Sequence, residues 1–474
     1  MTSAVVVGSG PNGLAAALTL AAAGVRVRII EAADVLGGGV RSAELTLPGL
    51  VHDECSAFHP FALGSSFGRD FDLAGAGLTW LWAPAELAHP LSGSEGAVLL
   101  RSVAETAAGL GGDGDRWQRT FGPLAERFGT ISGEFLQPML HVPKHPLHLA
   151  RFGAFSAPPA TLLGRRFRED PARALFGGVA AHAFNRLDRP LSSAIGVALT
   201  TAAHAFGWPV AEGGSSAIRD AILRRCEEYD VTTETGRTVT AYDEITDADL
   251  VLLDTTPGAA LQILGDRVPG RVRRGFRRFR HGPGAFKVDF AVAEGVPWSY
   301  EPARRAGTVH LGGRFEETVA AERSVARGVL PERPFVLVGQ QWLADPSRSV
   351  GDTHPLYSYA HVPAGYDGPD DVVTEAIIAR IEEHAPGFRD RILATHVRSA
   401  AGMAQHNANY VGGDITTGAN DARQLVFRPR AGLSPYSTGV EGVYLCSAAT
   451  PPGAGAHGMC GHLAARKALA DLGR

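Results

Sequence analysis

Apolar runs flank a glycine-rich turn at the start of the chain. Residues 4–7 are a short β-branched run, residues 14–23 are rich in alanine and leucine and end at Gly24, and residues 25–30 are a second β-branched run. β-Branched runs favour strands, and the alanine-rich segment favours a helix. The order predicts a right-handed βαβ unit of about thirty residues.

Similar elements recur far along the chain. Residues 215–229 have a helical pattern, 231–233 and 239–242 are short strand-like runs, and 249–254 have the pattern of a buried strand. Residues 442–446 are another apolar run, followed by a glycine-rich turn and a helical pattern at about 461–472. Because parallel strands joined by helices build one sheet, these elements predict an α/β fold whose nucleotide-binding domain is discontinuous.

The segments between these elements form a second domain. We assign residues 1–70, 205–265 and 430–474 to the nucleotide-binding domain, and residues 71–204 and 266–429 to a substrate domain. The second domain contains strand-like runs, such as 286–292 and 335–339, together with helical segments. A length of 474 residues is more than one core usually supports, which agrees with two domains.

Composition excludes several classes of protein. Hydrophobic residues make up 45% and charged residues 20% of the chain, as in ordinary globular proteins, and the formal net charge of −4 does not favour nucleic acid. The longest apolar run, 194–208, is shorter than the roughly 20 residues that cross a bilayer. The strand at 4–7 leaves no room for a leader, so we expect a cytoplasmic protein. No metal site is predicted, because no CxxC pair occurs among the cysteines, Cys55, Cys226, Cys446 and Cys460.

The first turn has the GxGxxG spacing of dinucleotide-binding proteins, and its residues run Gly8, Ser9, Gly10, Pro11, Asn12 and Gly13. It follows a predicted strand and opens a predicted helix, which is the context that the motif requires. Gly8 permits the tight turn, Gly10 lets the backbone approach a pyrophosphate, and Gly13 lets the helix pack on the strand. The free N–H groups at the helix N-terminus favour the phosphates.

The residues after the second strand distinguish between cofactors. Glu31 is placed to accept hydrogen bonds from the adenosine ribose, which disfavours the 2′-phosphate of NADPH. A second glycine cluster, Gly37 to Gly39, follows, and Arg41 is placed to reach the pyrophosphate of an extended dinucleotide. This second cluster is typical of FAD rather than NAD.

Two segments at the ends of the chain resemble one family. Residues 31–60 (EAADVLGGGVRSAELTLPGLVHDECSAFHP) and 427–469 (FRPRAGLSPYSTGVEGVYLCSAATPPGAGAHGMCGHLAARKAL) are similar to phytoene-dehydrogenase-related flavoproteins of the FAD-dependent amine oxidase and carotenoid desaturase superfamily. The middle segments FRRFRHGPGAFKVDFAVAEGVPW and AGTVHLGG resemble its actinobacterial branch. The resemblance implies a discontinuous Rossmann-like FAD-binding domain with an inserted α+β substrate domain, and an apolar substrate tunnel.

The resemblance also implies which residues hold FAD. The ADP half is expected on Gly8, Gly10, Pro11, Asn12, Gly13, Glu31, Gly38, Gly39 and Arg41, with the backbone of Val239 at the adenine. The flavin and ribityl chain are expected on the C-terminal turn, at Pro452, Gly453, His457, Gly458 and Met459, with the last helix pointing its N-terminus at the ring. The chain departs from the family pattern at Gly39–Val40, where an arginine often follows the paired glycines, and at Ala454, where glycine is frequent.

Two residues are catalytic candidates. By resemblance, Lys287 is placed near the flavin N5 and positions a water, although a strand lysine paired with Asp289 or ending in solvent fits the sequence equally. His457 is a candidate hydrogen-bond donor or acid and base, and its alternative is a helix cap or a ribityl contact. Hydride transfer is the cofactor's own chemistry, so no catalytic acid is required.

Other polar and aromatic residues are candidates for the substrate pocket, with core packing as the alternative for each: Gln341, Tyr359, His361 and Tyr436. The polar run 406–410 fits substrate binding or a turn. The basic run 271–281 fits peripheral membrane contact, an acidic partner or a solvated helix face.

The sequence favours an FAD-dependent dehydrogenase, oxidase or desaturase that removes hydride from a C–H or C–N bond of an apolar small molecule. Only one dinucleotide motif is present, so O2 or a quinone is the expected electron acceptor. The alternatives are a flavin-dependent isomerase without net redox change, and a non-catalytic FAD-bound or membrane-associated scaffold. Hydrolase motifs are absent from the sequence.

Overall fold

A computed structural model describes residues 2–473 of the chain. Its strands are β1 (Ser3–Val7), β2 (Arg26–Ile30), β3 (Ser42–Ala43), β4 (His52–Asp53), β5 (Trp80–Leu81), β6 (Ala85–Pro90), β7 (Gly96–Leu99), β8 (Val210–Ala211), β9 (Thr232–Glu234), β10 (Leu250–Leu253), β11 (Gly284–Ala293), β12 (Ala306–Leu311), β13 (Val336–Gly339), β14 (Thr353–Val362), β15 (Ile392–Arg398) and β16 (Val443–Leu445).

Helices connect and cover these strands. They are α1 (Pro11–Ala22), α2 (Pro60–Gly64), α3 (Ser66–Asp70), α4 (Val103–Ala108), α5 (Gly114–Ala125), α6 (Phe128–Phe135), α7 (Pro146–Ser156), α8 (Ala160–Gly164), α9 (Asp170–Ala181), α10 (Ser193–Phe206), α11 (Ser216–Glu227), α12 (Pro257–Leu264), α13 (Gly270–Arg277), α14 (Phe315–Val325), α15 (Asp370–His384), α16 (Ala400–His406), α17 (Ala422–Phe427) and α18 (Met459–Asp471).

The first sheet is parallel and has the order β16-β10-β1-β2-β9. Its strands β16, β10 and β1 are buried, since α1, α11 and α18 cover one face and α12 and α13 cover the other, whereas the edge strand β9 is largely exposed. Strands from both ends and the middle of the chain therefore meet in one Rossmann-like sheet, and the predicted α/β fold class is confirmed. The exact domain boundaries stay a prediction.

The first and last helices pack tightly. A methyl group at Gly461 would overlap the backbone carbonyl of Asn12, so glycine is needed where α18 crosses the start of α1. Farther along, the hydroxyl of Thr19 lies 3.0 Å from Nδ1 of His462. This packing brings the C-terminal turn beside the GxGxxG turn.

The second sheet has the order β15-β11-β14-β13-β12-β6-β7 and is antiparallel except where β12 runs parallel to β6. Helix α15 packs on one face through Val373, Ile377 and Ile381. Apolar side chains of α5 to α10 form a separate core against β6 and β7. The sheet and this helical layer build the mixed substrate domain.

The strand predicted at 239–242 is not formed. Thr240 and Ala241 instead donate their backbone N–H groups to the Glu244 carboxylate, at 2.8 Å each, and a short 3₁₀ turn follows at Tyr242–Ile245. A side chain that binds nearby backbone N–H groups competes with the strand ladder.

Two surface features bear on membrane contact. Within residues 2–473 no helix combines the length and the hydropathy needed to cross a bilayer. In the basic run 271–281, α13 buries Val272 and Phe276, while Arg273 pairs with Asp266 at 3.0 Å. Part of the predicted basic segment is thus a helix face on which Arg273 has a carboxylate partner on the protein.

Candidate active site

A cavity of about 540 Å³ lies between the two sheets and has two parts. The first part, the cofactor end, is lined by Gly10, Pro11, Asn12, Gly39, Val40, Asp254, Asn407, Asn409, Tyr410, Arg428, Ala448, Pro451, Pro452 and residues 454–457. The second part, the apolar arm, is lined mainly by Phe58, Phe61, Phe135, Leu136, Phe152, Phe184, Ala194, Ile195, Ala198, Leu199, Trp208 and Leu337. The cavity is continuous from the glycine turn into the apolar arm.

The glycine turn has the backbone shape that the motif predicts. Gly8 has a φ of 97°, which favours glycine, and a methyl group at Gly10 would lie 2.6 Å from Oδ2 of Asp254. Helix α1 begins at Pro11 without a side-chain cap. Oδ1 of Asn12 is buried and has no hydrogen-bond partner among the described residues. The open helix N-terminus fits a phosphate-containing dinucleotide. The unpaired amide oxygen of Asn12 can accept a hydrogen bond from a ligand but cannot donate one to a phosphate.

Asp254 lies directly against the glycine turn. Its Oδ2 accepts a hydrogen bond from the N–H of Gly13 at 3.0 Å. Burial, together with the nearby Glu31, raises the pKa of Asp254 to about 7. The sequence analysis missed this residue, although its position at the carboxyl end of β10, beside β1, is where ligands bind in such sheets.

Glu31 and the second glycine cluster lie against the first turn. The Glu31 carboxylate accepts from the N–H and hydroxyl of Ser9, at 2.8 and 2.6 Å, and from the N–H of Ala33 at 2.9 Å. A methyl group at Gly38 would lie 2.8 Å from Cα of Gly10. Glu31 therefore lies at the turn, and the two glycine segments are in direct contact.

Six residues predicted at the ADP half lie outside the cavity lining, namely Gly8, Gly13, Glu31, Gly38, Arg41 and Val239. Arg41 donates from Nε to the Gly38 carbonyl at 3.0 Å and lies 3.4 Å from Glu54, so its charge is already paired. Val239 is buried among apolar residues of the first sheet, including Val7 and Ile30. Glu54 and the Gly38 carbonyl hold the Arg41 guanidinium outside the cavity lining, and its contact with a pyrophosphate stays a prediction.

The C-terminal turn forms one wall of the cofactor end. Pro452 and His457 line the cavity, whereas Gly453, Gly458 and Met459 lie behind them and shape the turn. Nδ1 of His457 accepts the N–H of Met459, the first residue of α18, at 3.1 Å. Burial lowers the pKa of His457 to about 4, so the imidazole is neutral at physiological pH. This hydrogen bond corresponds to the predicted role of His457 as a helix cap.

Lys287 is buried in β11 and does not line the cavity. Its ammonium pairs with the Asp289 carboxylate and lies 4.4 Å from the ring centre of Tyr357, which does line the cavity. Burial lowers the pKa of Lys287, while Asp289 opposes that shift. Of the predicted alternatives, the structure shows the strand lysine paired with Asp289. Asp289 and Tyr357 hold the Lys287 ammonium, so a direct contact between Lys287 and a ligand is not supported.

Comparisons with known proteins agree with this geometry. Residues 6–67 match a family model described as an NAD(P)-binding Rossmann-like domain. Phytoene dehydrogenase of Streptomyces griseus is 27% identical, over 82% of this chain and 77% of its own length. Hydroxyneurosporene desaturase of Cereibacter sphaeroides is 30% identical, over 50% of this chain and 49% of its own length. Pyridine nucleotide-disulfide oxidoreductase domain-containing protein 2 of Rattus norvegicus is 23% identical, over 99% of this chain and 93% of its own length.

Solved structures show the same fold along the whole chain. Putrescine oxidase superposes with a TM-score of 0.63 at 15% identity, covering 100% of this chain and 99% of that one. Cyclohexylamine oxidase from Brevibacterium oxydans superposes with a TM-score of 0.60 at 15% identity, covering 100% of both chains. In sequence the chain is thus similar to phytoene-dehydrogenase-related oxidoreductases, and its first residues match a dinucleotide-binding domain. These comparisons support the predicted family, enzyme class and cofactor.

The substrate candidates of this oxidoreductase divide into two groups. Tyr359 lines the cavity, but Gln341, His361 and Tyr436 do not. Nδ1 of His361 lies 2.7 Å from the Glu322 carboxylate, and the Tyr436 hydroxyl donates to the Pro451 carbonyl at 3.1 Å. Gln341 is buried in a 3₁₀ turn, Gln341–Leu343. Gln341, His361 and Tyr436 are therefore packed in the protein core, which was the alternative to a place in the substrate pocket.

Several lining residues of the oxidoreductase had no clear sequence signal. The rings of His182 and Trp208 lie 5.6 Å apart between centres and are tilted by 51°, and Arg428 lies at the cofactor end. The run 406–410 does reach the cavity through Asn407, Asn409 and Tyr410. These side chains come from loops and helix ends, where residue pattern carries little information on position.

Proposed function

We propose that this oxidoreductase removes hydride from a C–H or C–N bond of a largely apolar small molecule bound in the apolar arm. The observation that supports the proposal is the continuous cavity, which joins the glycine turn, the C-terminal turn and an arm lined by aromatic and aliphatic side chains. A substrate in that arm therefore lies next to the part of the cofactor that binds at the C-terminal turn.

The charges of the lining limit the substrate. Among residues 2–473, the lysine, arginine, aspartate and glutamate side chains that line the cavity are Asp254 and Arg428, both at the cofactor end. An apolar arm without ion-pairing partners favours neutral hydrophobic molecules over charged ones, since a charge left unpaired there is costly. The arm also excludes water from the reacting bond.

For the cofactor, we propose that the ADP half binds at Gly8, Gly10, Asn12 and Glu31, and that the flavin half binds along Pro452 to His457. FAD supplies the hydride acceptor, and the protein orients the substrate against it. The N-terminus of α18 directs its partial positive charge toward this turn. His457, neutral and fixed by Met459, serves as a hydrogen-bonding group rather than a charged acid.

Peripheral membrane contact is part of the same proposal. Met139 lines the cavity and is 39% exposed, and the nearby Leu140, Val142 and Leu147 are 47%, 90% and 83% exposed. Exposed apolar residues beside a cavity opening are suited to taking a hydrophobic substrate from a lipid phase. Cytoplasmic location, and O2 or a quinone as the electron acceptor, remain predictions.

The test is anaerobic reduction of the FAD-loaded protein by a panel of polyenes, hydroxylated lipids and hydrophobic amines. We expect at least one neutral apolar compound to bleach the flavin absorption and to yield a product lighter by two hydrogens. Product formation without any acceptor consumed indicates the isomerase instead. Bound FAD without turnover on the whole panel, together with binding to liposomes, indicates the scaffold.

A further inference from the structure

Arg428 is a buried cation in the wall of the cavity. It follows α17 directly, is 2% exposed, and lines the cofactor end together with Asn420 and Ala448. The sequence analysis assigned it no role. Its guanidinium lies against Gly453 of the C-terminal turn and beside Asn420, whose amide donates to the Ala183 carbonyl next to the apolar arm.

The hydrogen bonds of Arg428 all go to neutral acceptors. Its guanidinium donates to the Asn420 amide oxygen at 3.1 Å and to backbone carbonyls at 3.2 to 3.4 Å, those of Gln424, Ala448, Gly418 and Ala419. Neutral acceptors hold the group in place but do not cancel its charge. Burial lowers the pKa of Arg428, which shows that the site is costly for a cation.

The nearest carboxylates are engaged elsewhere. Asp414 and Asp421 act on Arg428 only through longer-range attraction. Asp414 accepts from the N–H groups of Gly282 and Gly418, at 2.8 and 2.7 Å, and Asp421 pairs with Arg280 at 2.5 Å. Among the described residues, Arg428 therefore forms no ion pair that would neutralise its positive charge.

The C-terminal turn is shaped around this charge. Gly453 has a φ of 112°, and a methyl group there would overlap the guanidinium of Arg428. The backbone of the turn thus lies directly on the cation, between Pro452 and Ala454, which line the cavity. An uncompensated buried cation that faces a ligand cavity is suited to stabilising negative charge on the ligand.

We propose that Arg428 supplies a fixed positive charge to the flavin end of the cavity and thereby raises the reduction potential of the bound FAD. The inference rests on the proposed function, because it takes the flavin to bind along the C-terminal turn. Reduction adds negative charge to the flavin, and a cation held in a low-dielectric wall favours the reduced form. Arg428 is a tuning residue that acts on the cofactor by electrostatics.

The test measures the midpoint potential of bound FAD without substrate, by equilibrating the holoprotein with a reference dye during anaerobic reduction. Arg428→Met removes the charge, and we expect the dye equilibrium to shift at least about tenfold toward oxidised flavin. Arg428→Lys keeps the charge but loses most of the hydrogen bonds, and its potential should stay near that of the wild type. Arg430→Met is the control, since Arg430 is outside the lining and binds backbone carbonyls.

Two results would overturn the proposal. One is an unchanged potential in the Met variant, and the other is an equal shift in the Met and Lys variants, which would make Arg428 only a clamp for the loop. If the Met variant does not retain FAD, Asn420→Asp decides, because it places a carboxylate beside the guanidinium and should lower the potential. A normal potential in Asn420→Asp would then refute the inference. Failure of the wild-type holoprotein to oxidise any apolar compound would refute the proposed function and leave this measurement unaffected.

Discussion

At the scale of single residues, the buried charges of this oxidoreductase have distinct partners and distinct consequences. Lys287 and Asp289 neutralise each other inside the second sheet, with His52 and His396 at 3.6 and 3.7 Å from the aspartate. Burial alone would raise the pKa of Asp289, but Lys287 and the two histidines hold it below its usual value. The pair is a structural element beneath Tyr357, whereas Arg428 has no such partner.

The first prediction concerns the Lys287 pair. Lys287→Met should lower the free energy of unfolding by about 3–5 kcal/mol, because it leaves the Asp289 carboxylate buried without its cation. The double variant Lys287→Met with Asp289→Leu should recover much of the loss. Denaturant titration of the three proteins measures both effects. A single variant as stable as the wild type would show that the lysine does not compensate the buried aspartate.

The second prediction concerns the glycine turn. Gly10→Ala should weaken FAD binding, because the added methyl group lies 2.6 Å from Asp254 and displaces the turn at a cost of about 1–3 kcal/mol. The readout is the dissociation constant from titration of the apoprotein with FAD. Gly133→Ala is the matched control, since a methyl group there meets no atom within 4 Å. Equal affinity in both variants would mean that the turn does not carry the cofactor.

Residue-level prediction from sequence worked for local backbone geometry. Gly8, Gly10 and Gly13 are set by one turn, and Glu31 follows at a fixed distance along the next strand, so spacing alone predicted this turn. The contacts of these residues with a cofactor stay a prediction. Arg428 could not be found in this way. Its partners come from separate loops, and only the folded chain brings Asn420, Ala448 and Gly453 around it.

At the scale of elements, the hydrophobic pattern located most strands and helices of the first sheet. The run 249–254 contains β10, and the run 442–446 contains β16. The pattern failed at 239–242, where Glu244 binds the backbone N–H groups that a strand would use. The hydrophobic pattern also did not predict which residues line the apolar arm, because the helices around the arm carry lining and core residues on adjacent faces.

The third prediction tests the role of α10 in the apolar arm. Ala194 lies on this helix, lines the arm and is only partly buried, so Ala194→Phe should fill the arm without displacing the core. We expect unchanged FAD content and at least about tenfold slower reduction by an apolar substrate, since binding sites of this kind depend on shape. Val372→Phe, at a position 50% exposed on α15 and outside the cavity lining, is the control. Equal reduction rates in the two variants would place the substrate elsewhere.

At the scale of the whole molecule, the packing of the two sheets and the helical layer buries a set of histidines in different parts of the fold. Burial lowers the pKa of His59, His89, His204 and His457 from 6.5 to about 4. Each of them is neutral in the folded state near pH 6, whereas the unfolded chain takes up protons there. Asp254 acts in the opposite direction, because its pKa is raised to about 7 in the folded state.

The fourth prediction follows from the sign of these shifts. As the pH falls from 6.5 toward 4, the unfolded state binds more protons than the folded state, so the free energy of unfolding decreases. Each histidine contributes up to about 1.4 kcal/mol per pH unit, and four histidines outweigh one aspartate. Denaturation midpoints of the FAD-saturated protein across this range measure the slope. His204→Phe should reduce it, and a flat profile would contradict the assignment of neutral buried histidines.

The most direct test of the whole account is the amount of FAD that the purified protein binds. The two glycine turns, one from each end of the chain, form a single cavity, so the account predicts one non-covalently bound FAD per chain, released intact on denaturation and measured by its absorption. Protein that is colourless as purified and takes up no FAD on reconstitution would contradict it.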